Sequence, residues 1–465
     1  MFGLGITRNR AFRRIVAACG VASGLAAVAQ VDGDTAARPA ATAVVARGAA
    51  VSPAPANPQV RVDPRRELLI TDLSVVEDPV RTSWAMRPLV TTLSTRRIFG
   101  RPASTALATQ LRSQVGAWTF GKLMMDMAGA NDPSTFTLRW LETWERDQTV
   151  NGFTVAARPS IRPLVIEPWL RASGGARLDL EKAPFRLLAI VNRLDLRRSP
   201  SYAAGNAGEG RFVFGVLDPN GNPLPFTVIF EFEQPARTST DVKGWAQSWH
   251  ALGAVPFGGS FNAALQAITN RFAGRGAAPA KPNGSALNQI RTNEIAIGPV
   301  WELREFVIDR ATGFLATATT KQSPDISFNG TPDLAAFINA NEAAVLSGRH
   351  AVPPAWLGGA DPARFIWQAP GIRNPEARHA LALNTCSGCH FRETETPFTH
   401  VFTRGAGQEA GLSDFLTGNA MPKRDPISNA PHTFGDLGRR ADDLRRVLAS
   451  TPTQLAVEAP ATAVH

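Results

Sequence analysis

The stretch that decides the architecture is residues 212–235, FVFGVLDPNGNPLPFTVIFEFEQP. Phe226, Val228, Phe230 and Phe232 alternate with Thr227, Ile229 and Glu231, the period of a strand with one face buried. Asn220-Gly221 ahead of that run is the strongest short hairpin signal, so residues 212–232 are expected to be two paired antiparallel strands. Working outward, Leu187–Leu196 reads as a further apolar strand. Trp301–Ile308, the Thr312-Gly313 turn and Phe314–Thr317 suggest a second hairpin. A polar, helical excursion holding Trp245, Trp249 and His250 lies between the two hairpins.

On either side the period changes to that of helices. Leu107, Leu111, Val115 and Trp118 recur at helical spacing, and Leu138, Leu141 and Trp144 follow Pro133. Met124, Met125 and Met127 in this region read as core filler. In the C-terminal third, Thr331-Pro332-Asp333 and Asn374-Pro375-Glu376 carry N-cap and first-turn residues, and Phe434, Leu437, Ala441, Leu444 and Leu448 mark a last helix ending near Ser450. The expected class is α+β, with N-terminal helices, a central antiparallel sheet and a helical C-terminal region.

Arg8–Arg14 form a basic segment, Ile15–Val28 an apolar one, and Ala27-Val28-Ala29 gives an A-x-A cleavage site, the layout of an export signal. Val16-Ala17-Ala18-Cys19 also resembles a lipobox. The apolar run before Cys19 is only about four residues, short of the roughly 7 to 15 of a signal core, so a lipid anchor at Cys19 ranks second to simple cleavage. The expected segments are a signal at 1–29, a flexible linker at 30–64, a large α+β domain at 65–330, a helical module at 331–450 and a disordered tail at 451–465. The implied compartment is the periplasm.

Composition bounds the partners. There are 49 Lys+Arg against 39 Asp+Glu, and four of the arginines fall in the leader, so 45 cations against 39 anions leave a surplus of six. With no Lys/Arg run, this does not make a nucleic-acid stripe. No other apolar run approaches the roughly 20 residues that cross a bilayer. Of three cysteines, Cys19 belongs to the leader, so Cys386 and Cys389 are the thiols of the mature chain.

Those two thiols sit in Cys386-Ser387-Gly388-Cys389-His390, the CxxCH attachment sequence of c-type haem. On a helix, positions i, i+3 and i+4 share a face, so two thiols reach the two vinyl groups of one porphyrin while the adjacent imidazole meets the iron. A zinc site drawing on Cys386, Cys389 and two of His390, His400 and His432 is a second reading of the same residues. A disulfide or thioredoxin-like dithiol is a third. The dithiol lacks the hydrophobic strand that should precede Cys386.

With its approach helix, this motif, Met421-Pro422 downstream and the closing helix, the segment 370–450 resembles a single-haem c-type cytochrome. The resemblance implies an all-helical module in which the first helix packs on the last. It implies one haem c, held by thioethers at Cys386 and Cys389, with His390 as proximal ligand and Met421 as the favoured distal ligand. The interval from His390 to Met421 is short for that family, and no Gly-Pro step follows the motif. His400 is therefore the alternative distal ligand, with His379 and His432 behind it. Electron transfer to a redox partner protein or a membrane electron-transfer chain is the expected role. The rival is a haem-containing oxidoreductase with its substrate site in residues 65–330.

Overall fold

The alternation of residues 226–232 is realised as the centre of a long hairpin. Asn206–Leu217 and Pro223–Pro235 pair antiparallel, with Phe212 opposite Phe230 and Phe214 opposite Val228. The turn closes through Asp218: its N–H donates to Asn222 O at 2.8 Å, its carbonyl accepts from Gly221 N, and its carboxylate accepts from Asn220 N. Gly221 adopts φ +81°, the conformation for which glycine is suited.

In the computed structural model the described residues are 60–88, 97–98, 101–102, 113–197, 206–363, 365–418 and 421–457. The leader, the linker through residue 59, Leu107, Leu111 and the tail beyond 457 lie outside them. The described chain falls within one unit, Pro58–His465. Its centre is an eight-stranded antiparallel sheet: β1 (Leu69–Ile70), β2 (Phe185–Arg193), β3 (Asn206–Leu217), β4 (Pro223–Pro235), β5 (Leu287–Glu294), β6 (Glu302–Ile308), β7 (Leu315–Ala318) and β8 (Ala360–Pro362). The first seven lie side by side in sequence order. β8 shares the outer edge of β6 with β7, pairing Leu303 with Asp361, while β7 pairs Phe306 with Thr317.

The two faces of this sheet differ in chemistry. Phe212, Phe214, Phe226, Phe230, Phe232, Ile290 and Phe306 point to one side and join the main apolar core. Helices α1 (Phe120–Met127), α2 (Pro133–Leu141), α3 (Ser239–Ala251) and α4 (Gly259–Ala273) cover this side. Phe120 stacks on Phe185 at 3.7 Å, and Trp140 meets Phe306 edge-on at 5.8 Å. Each fully buried side chain of this kind contributes about 2–3 kcal/mol. Met124 and Met127 are core residues here.

The opposite face mixes Val191, Val213, Ile229 and Leu303 with buried ion pairs. Arg211 reaches Glu231 at 2.9 Å, and Arg291 reaches Glu305 at 3.0 Å. Gly208 and Gly210 lie in β3. A Cβ at Gly208 would stand 2.1 Å from Arg193 O and one at Gly210 2.2 Å from the Phe272 ring, so packing rather than looping explains both.

The C-terminal third corrects the expected fold class: it is not an all-helical, cytochrome c-like module. Its helices are short and interleaved with extended chain: α5 (Pro332–Ala340), α6 (Pro375–Leu383), α7 (Cys386–Cys389), a four-residue turn at Asp414–Thr417 and α8 (Asp436–Ala449). Strand β8 enters the main sheet, and Lys423–Arg424 pairs with Pro431–His432. The first and last helices do not share a core. α6 buries Ala377, Leu381 and Ala382 against Leu334, Ile338 and Trp367, whereas α8 buries Ala441, Leu444 and Val447 in the core of the sheet. The reason is local. α8 docks on α3 and on the turn at Leu194–Leu196, within the core of the sheet, and α6 stops at Asn384 instead of running into the cysteines. Pro452–Val457, expected to fray, is a short helix with Leu455 buried.

Candidate functional site

Thr385 restarts the chain after α6. Its hydroxyl donates to Ala382 O at 2.7 Å and accepts from Gly388 N at 3.1 Å, capping α7 and aiming its first turn at the polar face of the sheet. The turn is received there: Cys386 N donates to Ser323 Oγ and Ser387 N to Asp361 Oδ2, both at 2.9 Å. Burial of Asp361 pushes its carboxyl up to about 6, against hydrogen bonds from Ser387 that lower it. Gly388 is dictated by space, because a Cβ there would lie 1.9 Å from Ala382 O.

His390 follows the turn and is 7% exposed. Its Nδ1 stands 2.9 Å from Phe398 O, while Phe398 N donates to His390 O at 3.1 Å, so the two residues clasp the loop between them. A carbonyl only accepts, so Nδ1 carries the proton and Nε2 is the lone-pair nitrogen. Burial pulls His390 down to about 4, so the ring is neutral at pH 7. Trp301 stacks on it at 5.4 Å, and Phe398 holds φ +68°, a left-handed backbone in a non-glycine residue.

Cys386 and Cys389 are reduced and fully buried. Desolvation raises both thiols well above the ordinary range. They face different apolar surroundings: Cys386 packs with Trp301, Leu303 and Ala363, and Cys389 with Val191, Val213, Val401 and Phe415. His400 joins them, its Nε2 3.3 Å from Cys389 Sγ, its Nδ1 2.8 Å from Ser413 Oγ, and its ring centre 4.3 Å from that of His390. Met421 stands apart at 76% exposure and does not border the cavity described below.

His379 and His432 lie in a separate cluster. Their rings stack at 3.8 Å, and His379 Nδ1 is 2.7 Å from Glu393 Oε2. Arg378 binds Glu393 through both oxygens and also reaches Asp425. Among the described residues, His379, Asp425 and His432 are the one group of three whose donor atoms all lie within 4.8 Å of one another. Cys386, Cys389, His390 and His400 do not form a closed set of that kind.

Between His390 and the polar face of the sheet lies a cavity of about 80 Å³, bordered by Leu69, Val213, Ile229, His400, Phe415 and Arg291. Neither Cys386 nor Cys389 borders it, and its sheet wall carries Arg211, Glu231 and Arg291; the donor types themselves, two thiols one turn apart and a neutral imidazole with its outer nitrogen fixed, suit a haem c. The space does not, since sites for molecules of that size run to roughly 300–1,000 Å³. Sequence reading missed the receiving side of the site: Ser323, Asp361 and Trp301 are distant in the chain and carry no motif. The positive φ of Phe398 has only Pro397 before it as a local signal. Compared with protein-family models, curated proteins and solved structures, the chain matches none. Among the described residues no helix is long and apolar enough to cross a membrane.

Proposed function

We propose that the chain carries one haem c, attached through Cys386 and Cys389 with His390 as proximal ligand, and that it transfers electrons in the periplasm. The observation that carries this reading is the Nδ1 bond from His390 to Phe398 O, which fixes the tautomer and rotation that a proximal imidazole needs. Bound haem supplies one-electron Fe(III)/Fe(II) chemistry, with the axial ligands setting the potential. The chain's own residues do the rest. Trp301 holds the imidazole plane, and the apolar clusters around the two sulfurs suit uncharged thioethers.

The same burial weighs against dithiol exchange, which runs through thiolates that these surroundings disfavour. Zinc is disfavoured by geometry, because among the described residues Cys386, Cys389, His390 and His400 do not form a closed donor set. His400 borders the cavity and Met421 does not, so His400, ahead of Met421, would be the second residue to hold the iron. An imidazole there gives a lower potential than a thioether. A redox protein or a membrane electron-transfer chain is the partner.

The test is to make the protein in a host that attaches haem c, digest it and weigh the peptide that contains Cys386 and Cys389. A tetrapyrrole adduct that survives denaturation, with His400→Ala changing the oxidised spectrum, is the expected result. An unmodified peptide overturns the haem. A spectrum altered by Met421→Ala and indifferent to His400→Ala moves the distal ligand to Met421.

A further inference from the structure

Beyond Arg291 and Glu305, on the same face of the sheet, lies a larger cavity of about 550 Å³, within the range of small-molecule sites. Leu287, Val307, Val352 and Leu357 form an apolar wall, and Gln289, Glu305 and Lys321 are among the polar groups facing it. Gln289 and Glu305 are each 1% exposed. Lys321 Nζ donates to Gln289 Oε1 and lies 4.0 Å from Glu305 Oε2, and Lys321 N donates to Glu305 Oε1 at 3.0 Å. The next residue, Gln322, is held at φ +58° while its Oε1 accepts from Val352 N at 3.0 Å. Strained backbone of this kind concentrates where ligands are held.

Each lysine of the cavity is matched by a carboxylate, Lys281 by Glu233 at 3.0 Å and Lys321 by Glu305. The balance selects an uncharged molecule over an acid. A half-buried primary amine beside an apolar wall, with a carboxylate 4.0 Å away, is equipped to condense with a carbonyl group.

We propose that this cavity takes a small uncharged aldehyde or ketone and that Lys321 condenses with it as an imine. The Nζ lone pair attacks the carbonyl carbon, a C–N bond forms, and the oxygen leaves as water with the two protons that the amine gives up. No oxidant or reductant is consumed. Burial lowers Lys321 to about 8, leaving about a tenth of it unprotonated at pH 7, against fewer than about one in a thousand for an ordinary lysine. The inference stands independently of the haem.

The purified full chain is incubated at pH 7 with butanal or benzaldehyde and cyanoborohydride, and the alkylated lysines are mapped by mass. Lys321 is expected to react at least tenfold faster than any other lysine, saturably in aldehyde. Lys321→Arg should lose that fast phase. Ala318→Phe or Val352→Phe, which fill the cavity from different walls and keep the amine, should slow it at least tenfold in whichever variant melts like the parent. Labelling spread evenly over the lysines, or a Lys321 rate indifferent to the filled cavity, overturns the proposal.

Discussion

Replacing Asp361 by asparagine should stabilise the protein at neutral pH and do nothing at low pH. Asp361 is 1% exposed, and burial raises its carboxyl from 3.8 to about 6. Between those values the folded chain keeps a proton that the unfolded chain has released, so stability falls as pH rises through the window and the cost is constant above it. Two pH units correspond to about 3 kcal/mol. Asparagine keeps an acceptor for Ser387 N at the position Asp361 Oδ2 now fills, 2.9 Å away, and removes the charge. The Asp361→Asn variant should therefore gain up to about 3 kcal/mol at pH 7.5. Over roughly 400 cooperative residues that is about 3–4 °C in melting temperature. At pH 3.5 the difference should vanish. Urea unfolding of parent and variant at both pH values checks this. A gap of equal size at both would refute the claim that ionisation in a dry site is what Asp361 costs.

Four further outcomes follow from the same packing. Gly388→Ala should lose at least about 2–3 kcal/mol, read as a lower urea midpoint, because the new methyl meets backbone 1.9 Å away. Arg378→Met strands Glu393 and Asp425 as buried anions and should cost about 3–5 kcal/mol by the same assay. Phe230→Ala opens the aromatic core and should cost about 3–5 kcal/mol, seen in thermal melts. In haem-free protein, iodoacetamide should leave Cys386 and Cys389 unmodified at pH 7 and label both once urea is added, since burial keeps each as a thiol.

Strands announced themselves wherever one face alone was apolar. The 226–232 alternation and the Asn220-Gly221 turn led directly to β3 and β4, and Thr312-Gly313 to β6 and β7, because period and turn chemistry are local properties. The edge strands β1 and β8 gave no such signal. Each is only two or three residues long and owes its pairing to β2 or β6. The C-terminal third misled for a physical reason. Its helical faces are real, yet a face does not name its partner, and the apolar surface that captured α8 belongs to α3 and the Leu194–Leu196 turn, far back in the chain. Within the site, the CxxCH spacing was legible and its setting was not. Asp361, Ser323 and Trp301 come from distant segments, and the ion pairs of Arg211 and Arg291 look in sequence like ordinary polar strand positions.

The reciprocal clasp between His390 and Phe398 ties the imidazole's orientation to one short ring of chain, against which Trp301 leans from the sheet side. Lengthening or nicking the segment 391–397 should thus set the ring spinning and loosen Glu393 from Arg378 with it. This small cinch is where insertions would be least forgiven.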